Sequence, residues 1–209
     1  GIKALNNLSF TIKAGESLAI MGKTGSGKTT IALLLCRLID PTEGEILIDG
    51  KNLKEHNLKL YRDFIGYIPQ ESYLFSDTIE NNIGFALDAP DHDRVVNYAK
   101  IADVDKNIVR FKDEYNTMVG ERGVMLSGGQ KQRICIARAL IKEPQILLFD
   151  DSLSALDTET EENILNNIES EIKNRTSIII THRDSSAKKA DRILNLSAQK
   201  NTQSAPLFI

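Results

Sequence analysis

Only two cysteines occur in 209 residues, too few for the disulfide framework that staples small secreted domains. Cys36 and Cys135 both fall in apolar helical patterns, so they read as buried thiols and fit a reducing cytosol. No apolar run reaches the ~18 residues of a membrane span, and the N-terminus has no signal-peptide character. Direct membrane insertion by these residues is therefore not expected. Excess charge is also scarce: a formal net charge of −3 gives no global pull toward nucleic acid or an anionic membrane. Internal repeats and low-complexity tracts are missing too. What remains, 41% hydrophobic and 26% charged, is a soluble globular composition long enough for one domain or a core with a subdomain.

One stretch organises the rest. Gly22-Lys23-Thr24-Gly25-Ser26-Gly27-Lys28-Thr29 lies between an apolar run, Ser17 to Met21, and a helical run, Thr30 to Leu38. This is G-x-x-x-x-G-K-[ST] in its confirming context of strand, loop and helix. The glycines let successive backbone N–H groups turn inward around a phosphate. The helix adds the positive end of its dipole at the same place. Lys28 is then placed to reach the β- and γ-phosphates of a nucleotide, and the Thr29 hydroxyl to sit on Mg²⁺. A glycine-rich turn that binds nothing is the plainer alternative, and the context argues against it.

Along the chain, Leu8, Phe10 and Ile12 alternate with polar neighbours, predicting a strand over 5–12. Glu45 to Ile48, Asp49-Gly50 and Lys51 to Leu53 read as a hairpin with a two-residue turn. A short helix over Leu58 to Phe64 and a strand over Ile65 to Ile68 follow, and Pro69 stops the strand and presents Gln70. From Asp77 to Ile141 the texture turns helical, over Thr78 to Ile83, Asp91 to Ile101 and Val104 to Phe111, with Asp77 and Asp91 as N-caps. Tyr115 to Met125 is a loop. Ser127-Gly128-Gly129-Gln130 then precedes a helix over Lys131 to Ile141; its N–H groups and hydroxyl make either a second anion site or an ordinary glycine-rich cap.

Ile146 to Phe149 suits a central parallel strand, and it delivers Asp150-Asp151 to the sheet edge where a Mg²⁺-holding carboxylate belongs. Ser154-Ala155-Leu156-Asp157 leads into a polar helix over Thr158 to Asn174. Ser177 to Ile180 is another buried strand, and His182 stands at its end, at the same edge, as a phosphate-sensing or water-orienting candidate. Arg192 to Leu196 is a last strand. Ser197 to Ile209 reads as a tail, and both ends read as cut boundaries.

Taken together, these residues resemble the nucleotide-binding domain of ABC transporters over nearly the whole chain. Gly22 to Thr29 matches the Walker A motif, with Thr30 just beyond it, and Gln70 the Q-loop. Leu126 to Gln130 is the LSGGQ signature verbatim, Ile146 to Asp150 matches Walker B, Ser154 to Asp157 the D-loop and His182 the switch histidine. The resemblance implies an α/β P-loop NTPase fold: a RecA-like core with a parallel central sheet (1–76 and 142–209), an antiparallel β subdomain, and an inserted α-helical subdomain (77–141). It implies ATP and Mg²⁺, the cation held by Thr29, Gln70 and Asp150. It also implies a head-to-tail dimer in which Ser127, Gly128, Gly129 and Gln130 of one chain meet ATP on Walker A of the other. Thr78 to Ile83 and Gly120-Glu121-Arg122-Gly123 resemble the exporter type, whose partners include the coupling helices of a transmembrane domain. That places the chain at the cytoplasmic face of a cell membrane.

Two departures stand out. The family's catalytic base is a Glu directly after the Walker B Asp, and here it is Asp151. A carboxylate shorter by one methylene sits back by roughly 1 to 1.5 Å, and displacement on that scale costs about 10²-fold. Slow hydrolysis at the chain's own site follows, as in the degenerate half of a heterodimeric exporter; the alternative is a homodimer in which Asp151 works through a shifted water. The adenine-stacking aromatic of the family is also not found, and belongs before Gly1. A non-transport ABC ATPase acting on DNA or ribosomes expects a coiled-coil insertion or basic surface, and neither is present. A regulatory module that clamps a dimer without turnover remains a third reading.

Overall fold

The structure, a computed structural model, describes residues 4–89, 91–120, 123–154, 156–173, 175–196 and 207–208. Gly1, Glu121, Arg122, Ala155, Asn174 and most of the 197–209 tail, which figure in the expectations above, lie outside the described residues. In chain order the elements are β1 (Ser17–Met21), α1 (Lys28–Leu35), β2 (Ile46–Ile48), β3 (Lys51–Asn52), α2 (Leu58–Asp63) and β4 (Ile65–Ile68). Next come α3 (Ile79–Ile83), α4 (His92–Ile101), α5 (Asp105–Ile108), α6 (Gly128–Leu140), β5 (Ile146–Asp150) and α7 (Thr158–Ile172). The chain closes with β6 (Thr176–Ile180), α8 (Asp184–Ala187), β7 (Arg192–Asn195) and β8 (Leu207–Phe208). Among the described residues no helix is long and apolar enough to cross a membrane.

These elements form two compact units. The first comprises Gly1–Tyr67, Gln145–Asp151 and Ile172–Ile209; the second comprises Ile68–Pro144 and Ser152–Glu171. The second unit thus holds 68–76, 142–144 and 152–171 besides the 77–141 of the sequence-based division.

In the first unit a five-stranded sheet runs in the order β4-β5-β6-β1-β7. β1 pairs in parallel with both β6 and β7, and β5 in parallel with β6. Leu18, Ile20, Leu148, Ile178 and Ile180 lie in one buried cluster with Ile31, Ala32 and Leu35 of α1. Strands this apolar are stable only when covered, which is the position of central parallel strands. β2 and β3 form the expected hairpin, closed by Asp49 (φ 50°) and Gly50 (φ 74°), the paired left-handed residues of a type I′ turn. β8 then adds in parallel to β2, so the end of the stretch read as a tail supplies a third strand, and this sheet is mixed rather than purely antiparallel.

The second unit centres on α6, which packs against α3 and α4. Ile79, Ile83, Val95, Ala99, Ile134, Ala137 and Leu140 are buried, at the helical spacings the sequence shows. A polar hub sits among them. Fully buried Asn82 takes Arg138 Nη2 (2.6 Å) and the Phe75 N–H (2.9 Å) on its side-chain oxygen, and donates to the carbonyls of Phe75 and Thr78. Such a group is tolerated inside because its bonds are made. Both cysteines are free and buried; burial pushes the Cys36 thiol up to about 12.

Several local expectations are corrected. Residues 5–12 do not form a strand: only Thr11 makes a bridge, because Asn7 at φ 48° breaks the extended path, although Phe10 and Ile12 are still buried. α1 stops at Leu35, ahead of left-handed Arg37, which leaves Leu38 exposed. Thr78, not Asp77, caps α3 by accepting from Asn81 N–H; Asp77 instead accepts from the Thr78 N–H and the Asn81 side chain. Of Val104 to Phe111 only α5 is α-helical, and α6 begins at Gly128 rather than Lys131.

The strand that leads into the P-loop is anchored at its start. Asp191 Oδ2 accepts from the Ser17 N–H (2.8 Å) and hydroxyl (2.7 Å), and the Asp191 N–H returns a bond to Ser17 Oγ. The Ser17 N–H and then its hydroxyl hold the Asp191 carboxyl below the ordinary carboxylate range. A carboxyl lowered in the folded state stabilises fully above its unfolded value of about 3.9, and the contribution is lost as pH falls through the folded value. Asp191→Ala is expected to be less stable than wild type at pH 7 in urea unfolding. The gap should narrow as pH falls below about 4.

Candidate functional site

Parallel pairing decides what meets at the sheet edge. Ile20 of β1 and Asp150 of β5 are both register partners of Ile180 in β6. Three C-terminal strand ends therefore lie side by side, each continuing into a segment singled out in the sequence: 22–29, Asp150-Asp151 and Thr181-His182. Backbone bonds extend the match, from Thr181 N–H to Ile20 O (3.1 Å) and from Asp151 N–H to Ile180 O (2.9 Å). Open α/β sheets place ligands at this edge.

The loop after β1 curls tightly. Gly25 (φ 79°) and Gly27 (φ 90°) are left-handed, a conformation glycine adopts without strain. A Cβ on Gly27 would also lie 2.5 Å from Leu5 Cδ2 and 2.6 Å from Ala4 O, so only glycine fits. α1 begins at Lys28 with no side-chain cap and no acidic residue in its first turn, leaving its positive end for an external anion. Lys28 Nζ reaches back to donate to Gly22 O (2.7 Å) and Lys23 O (3.1 Å). Lys23, Thr24 and Gly25 are exposed, while Ser26 and Thr30 are half-buried.

Asp150 is 1% exposed. Thr29 donates to its Oδ1 (3.3 Å) and the Tyr67 hydroxyl to its Oδ2 (3.2 Å). Burial pushes the Asp150 carboxyl up; the bonds from Tyr67 and Thr29 and the charge of Lys28 pull it back, and neighbouring Asp151 raises it further. Asp151 itself is left-handed at φ 49°, with its carboxylate on His182 Nδ1 at 2.9 and 3.2 Å. His182 remains half-exposed beyond that contact, its side chain 55% accessible.

Two features test the fit to a nucleotide and its cation. Ser26 Oγ is buried with no hydrogen-bond partner among the described residues, a polar atom that a phosphate oxygen would satisfy. Thr29 and Asp150 present only oxygen donors. That suits Mg²⁺, which takes one or two protein oxygens and fills its other positions with water and phosphate. The residues present fit both groups.

Gln70, Asp157 and 127–130 belong to the second unit. Gln70 is exposed, directly after Pro69, whose carbonyl accepts from buried Gln132 of α6 (3.2 Å). Ser127 caps α6: its Oγ accepts from the Gln130 N–H, and its own N–H donates to Gln130 Oε1. This capping box engages the Ser127 and Gln130 side chains and leaves exposed Gly128 and half-buried Gly129 at the helix start. Asp157 takes the Thr160 N–H (2.9 Å) and hydroxyl (2.8 Å), capping α7, and these bonds hold its carboxyl below the ordinary range. Sequence reasoning missed Tyr67 and Gln132. Each is a polar residue inside an otherwise buried pattern, a signal that a partner is needed but not which one.

Comparison with known proteins identifies the family. The ABC transporter family model matches residues 5–154. The chain is 46% identical over 194 residues to ABC transporter B family member 6 of Dictyostelium discoideum, covering 93% of this chain and 29% of that protein. It is 43% identical over 200 residues to Iron-sulfur clusters transporter ABCB7, mitochondrial, of Danio rerio, covering 96% and 27%. A solved structure titled "Structure of a bacterial Atm1-family ABC exporter with ATP bound" superimposes with a TM-score of 0.83 at 47% identity, over 87% of this chain and 32% of the other. The chain thus spans under a third of the length of these relatives. With a P-loop, a buried strand-end aspartate and the 127–130 cap in place, it belongs to the ABC transporter family, as an exporter-type nucleotide-binding domain.

Proposed function

We propose that this chain binds ATP with Mg²⁺ and hydrolyses it slowly, as one half of a head-to-tail pair of such domains that drives an ABC exporter. The observation that carries the reading is the Thr29–Asp150 contact at 3.3 Å beside the Lys28-spanned loop. It joins a phosphate cradle to a buried carboxylate. Gly22, Lys23, Thr24, Gly25, Ser26, Gly27 and Thr30 would hold the phosphates through backbone N–H groups and hydroxyls, with Lys28 supplying the charge. Thr29, Asp150 and Gln70 would hold Mg²⁺, which when bound offsets charge on the phosphate oxygens. Asp151 would accept the proton of the attacking water, with His182 fixing its carboxylate.

Asp151's geometry supports the reading of slow own-site hydrolysis. Its backbone is pinned by the Asp151 N–H to Ile180 O bond and its carboxylate by His182, so the missing methylene is not recovered by a shift. Such a site suits the weaker half of a heterodimer. The signature residues Ser127, Gly128, Gly129 and Gln130 would complete the partner's site, with Asp157 beside it, and the coupling helices of a transmembrane domain would carry the motion. The proposed location is the cytoplasmic face of a cell membrane. A regulatory clamp that never turns over would need the same cradle, and only rates separate it.

Three measurements test this. ATP turnover is expected to rise by about tenfold to a hundredfold in Asp151→Glu, at concentrations where chains pair; a fast wild type left unchanged by the substitution contradicts the weak-base reading. Lys28→Ala is expected to weaken binding of a fluorescent ATP analogue by about tenfold to a hundredfold, the worth of a charged hydrogen bond. Ser127→Ala in this chain should slow turnover by a Glu-bearing partner domain while leaving this chain's own ATP affinity unchanged. Equal turnover in that mixture would speak against the paired site.

A further inference from the structure

We propose that Tyr67 is a positioning residue for the cation site: its hydroxyl holds Asp150 Oδ2, so that the carboxylate turns Oδ1 toward Thr29. This rests on the reading of Thr29 and Asp150 as Mg²⁺ ligands. A carboxylate that is 1% exposed needs hydrogen-bond donors in place of lost water, and their positions fix its orientation. Among the described residues two side chains donate to Asp150, Thr29 on Oδ1 at 3.3 Å and Tyr67 on Oδ2 at 3.2 Å.

The two donors are not equivalent. Thr29 is itself an expected ligand, so its hydroxyl must serve the cation as well as the carboxylate. Tyr67 has no such second duty, and its bond can persist whether or not the cation is present. The phenol is the donor, because an ionised carboxylate only accepts.

Position explains why a tyrosine can do this. β4 and β5 are neighbours in the sheet, and the Tyr67 ring packs partly buried against the apolar cluster beneath. A phenylalanine would supply the same packing. Only the hydroxyl distinguishes the two residues, and it lies against the carboxylate. Outer-shell partners of this kind usually contribute tenfold to a hundredfold to metal affinity.

The test is Tyr67→Phe, read as binding of a non-hydrolysable fluorescent ATP analogue at increasing free Mg²⁺, with a thermal melt as the folding control. The Mg²⁺ concentration for half-maximal enhancement of binding is expected to rise about tenfold, with metal-free nucleotide affinity and the melt little changed. An unchanged half-saturation overturns the proposal. Should the Phe variant not fold, Tyr67→Gln, which keeps a donor, and Tyr67→Leu, which has none, form a second pair; equal Mg²⁺ response in these two overturns it. Asp150→Asn separates the layers. If that variant loses the Mg²⁺ response while Tyr67→Phe keeps it in full, the positioning role fails and the cation site stands. If Asp150→Asn keeps the response, the cation site is wrong and the positioning role falls with it.

Discussion

Everything at the site depends on the parallel register of three strands. Because Ile20 and Asp150 share Ile180 as a partner, the phosphate loop, the paired aspartates and Thr181-His182 leave the sheet at one level. In a parallel sheet a slip of even one residue would turn each strand's side chains to the opposite face. Asp150 would then leave the Thr29 hydroxyl. The apolar surface of Leu18, Ile20, Ile178 and Ile180 is what makes such a slip costly, so the core's packing and the site's geometry are one constraint.

Within that frame two adjacent carboxylates take different parts. Asp150 is sealed in the sheet with donors on both oxygens, an arrangement that costs desolvation and gives a fixed direction. Asp151, one residue on, turns through a left-handed backbone and pairs with a half-exposed histidine. The left-handed turn at Asp151 gives the two neighbours different partners, Thr29 and Tyr67 for one and His182 for the other.

The second unit uses its polar groups differently. Ser127 and Gln130 satisfy one another at the head of α6, so the glycine N–H groups between them are displayed on a rigid turn. Asp157 does the same at the head of α7. Deeper in, Asn82 and Arg138 tie the 73–78 segment to α6, and Gln132 ties Pro69 to the same helix. The segment that follows Gln70 and the helix that follows the signature are therefore parts of one hydrogen-bonded body.

Local chemistry made much of this legible before any coordinates. Apolar runs placed β1, β5 and β6, Asp49-Gly50 placed the hairpin, and Gly22 to Thr29 and Leu126 to Gln130 placed two helix starts to within one turn, because glycine spacing, capping and burial act over a few residues. Where a nearby left-handed residue interrupts the pattern, as at Asn7 and Arg37, the same reasoning ran too long. The sheet edge shared by Asp150-Asp151 and His182 was legible, but the specific partnerships across the chain were not: Tyr67 with Asp150, Asp151 with His182, Asp191 with Ser17, β8 with β2. The sequence by itself determined which side chains have the chemistry suited to a phosphate, a cation or a proton, since that is a matter of residue type. Only the tertiary structure decided which of them meet, since that rests on strand order and register, which arise from contacts between residues far apart in the chain.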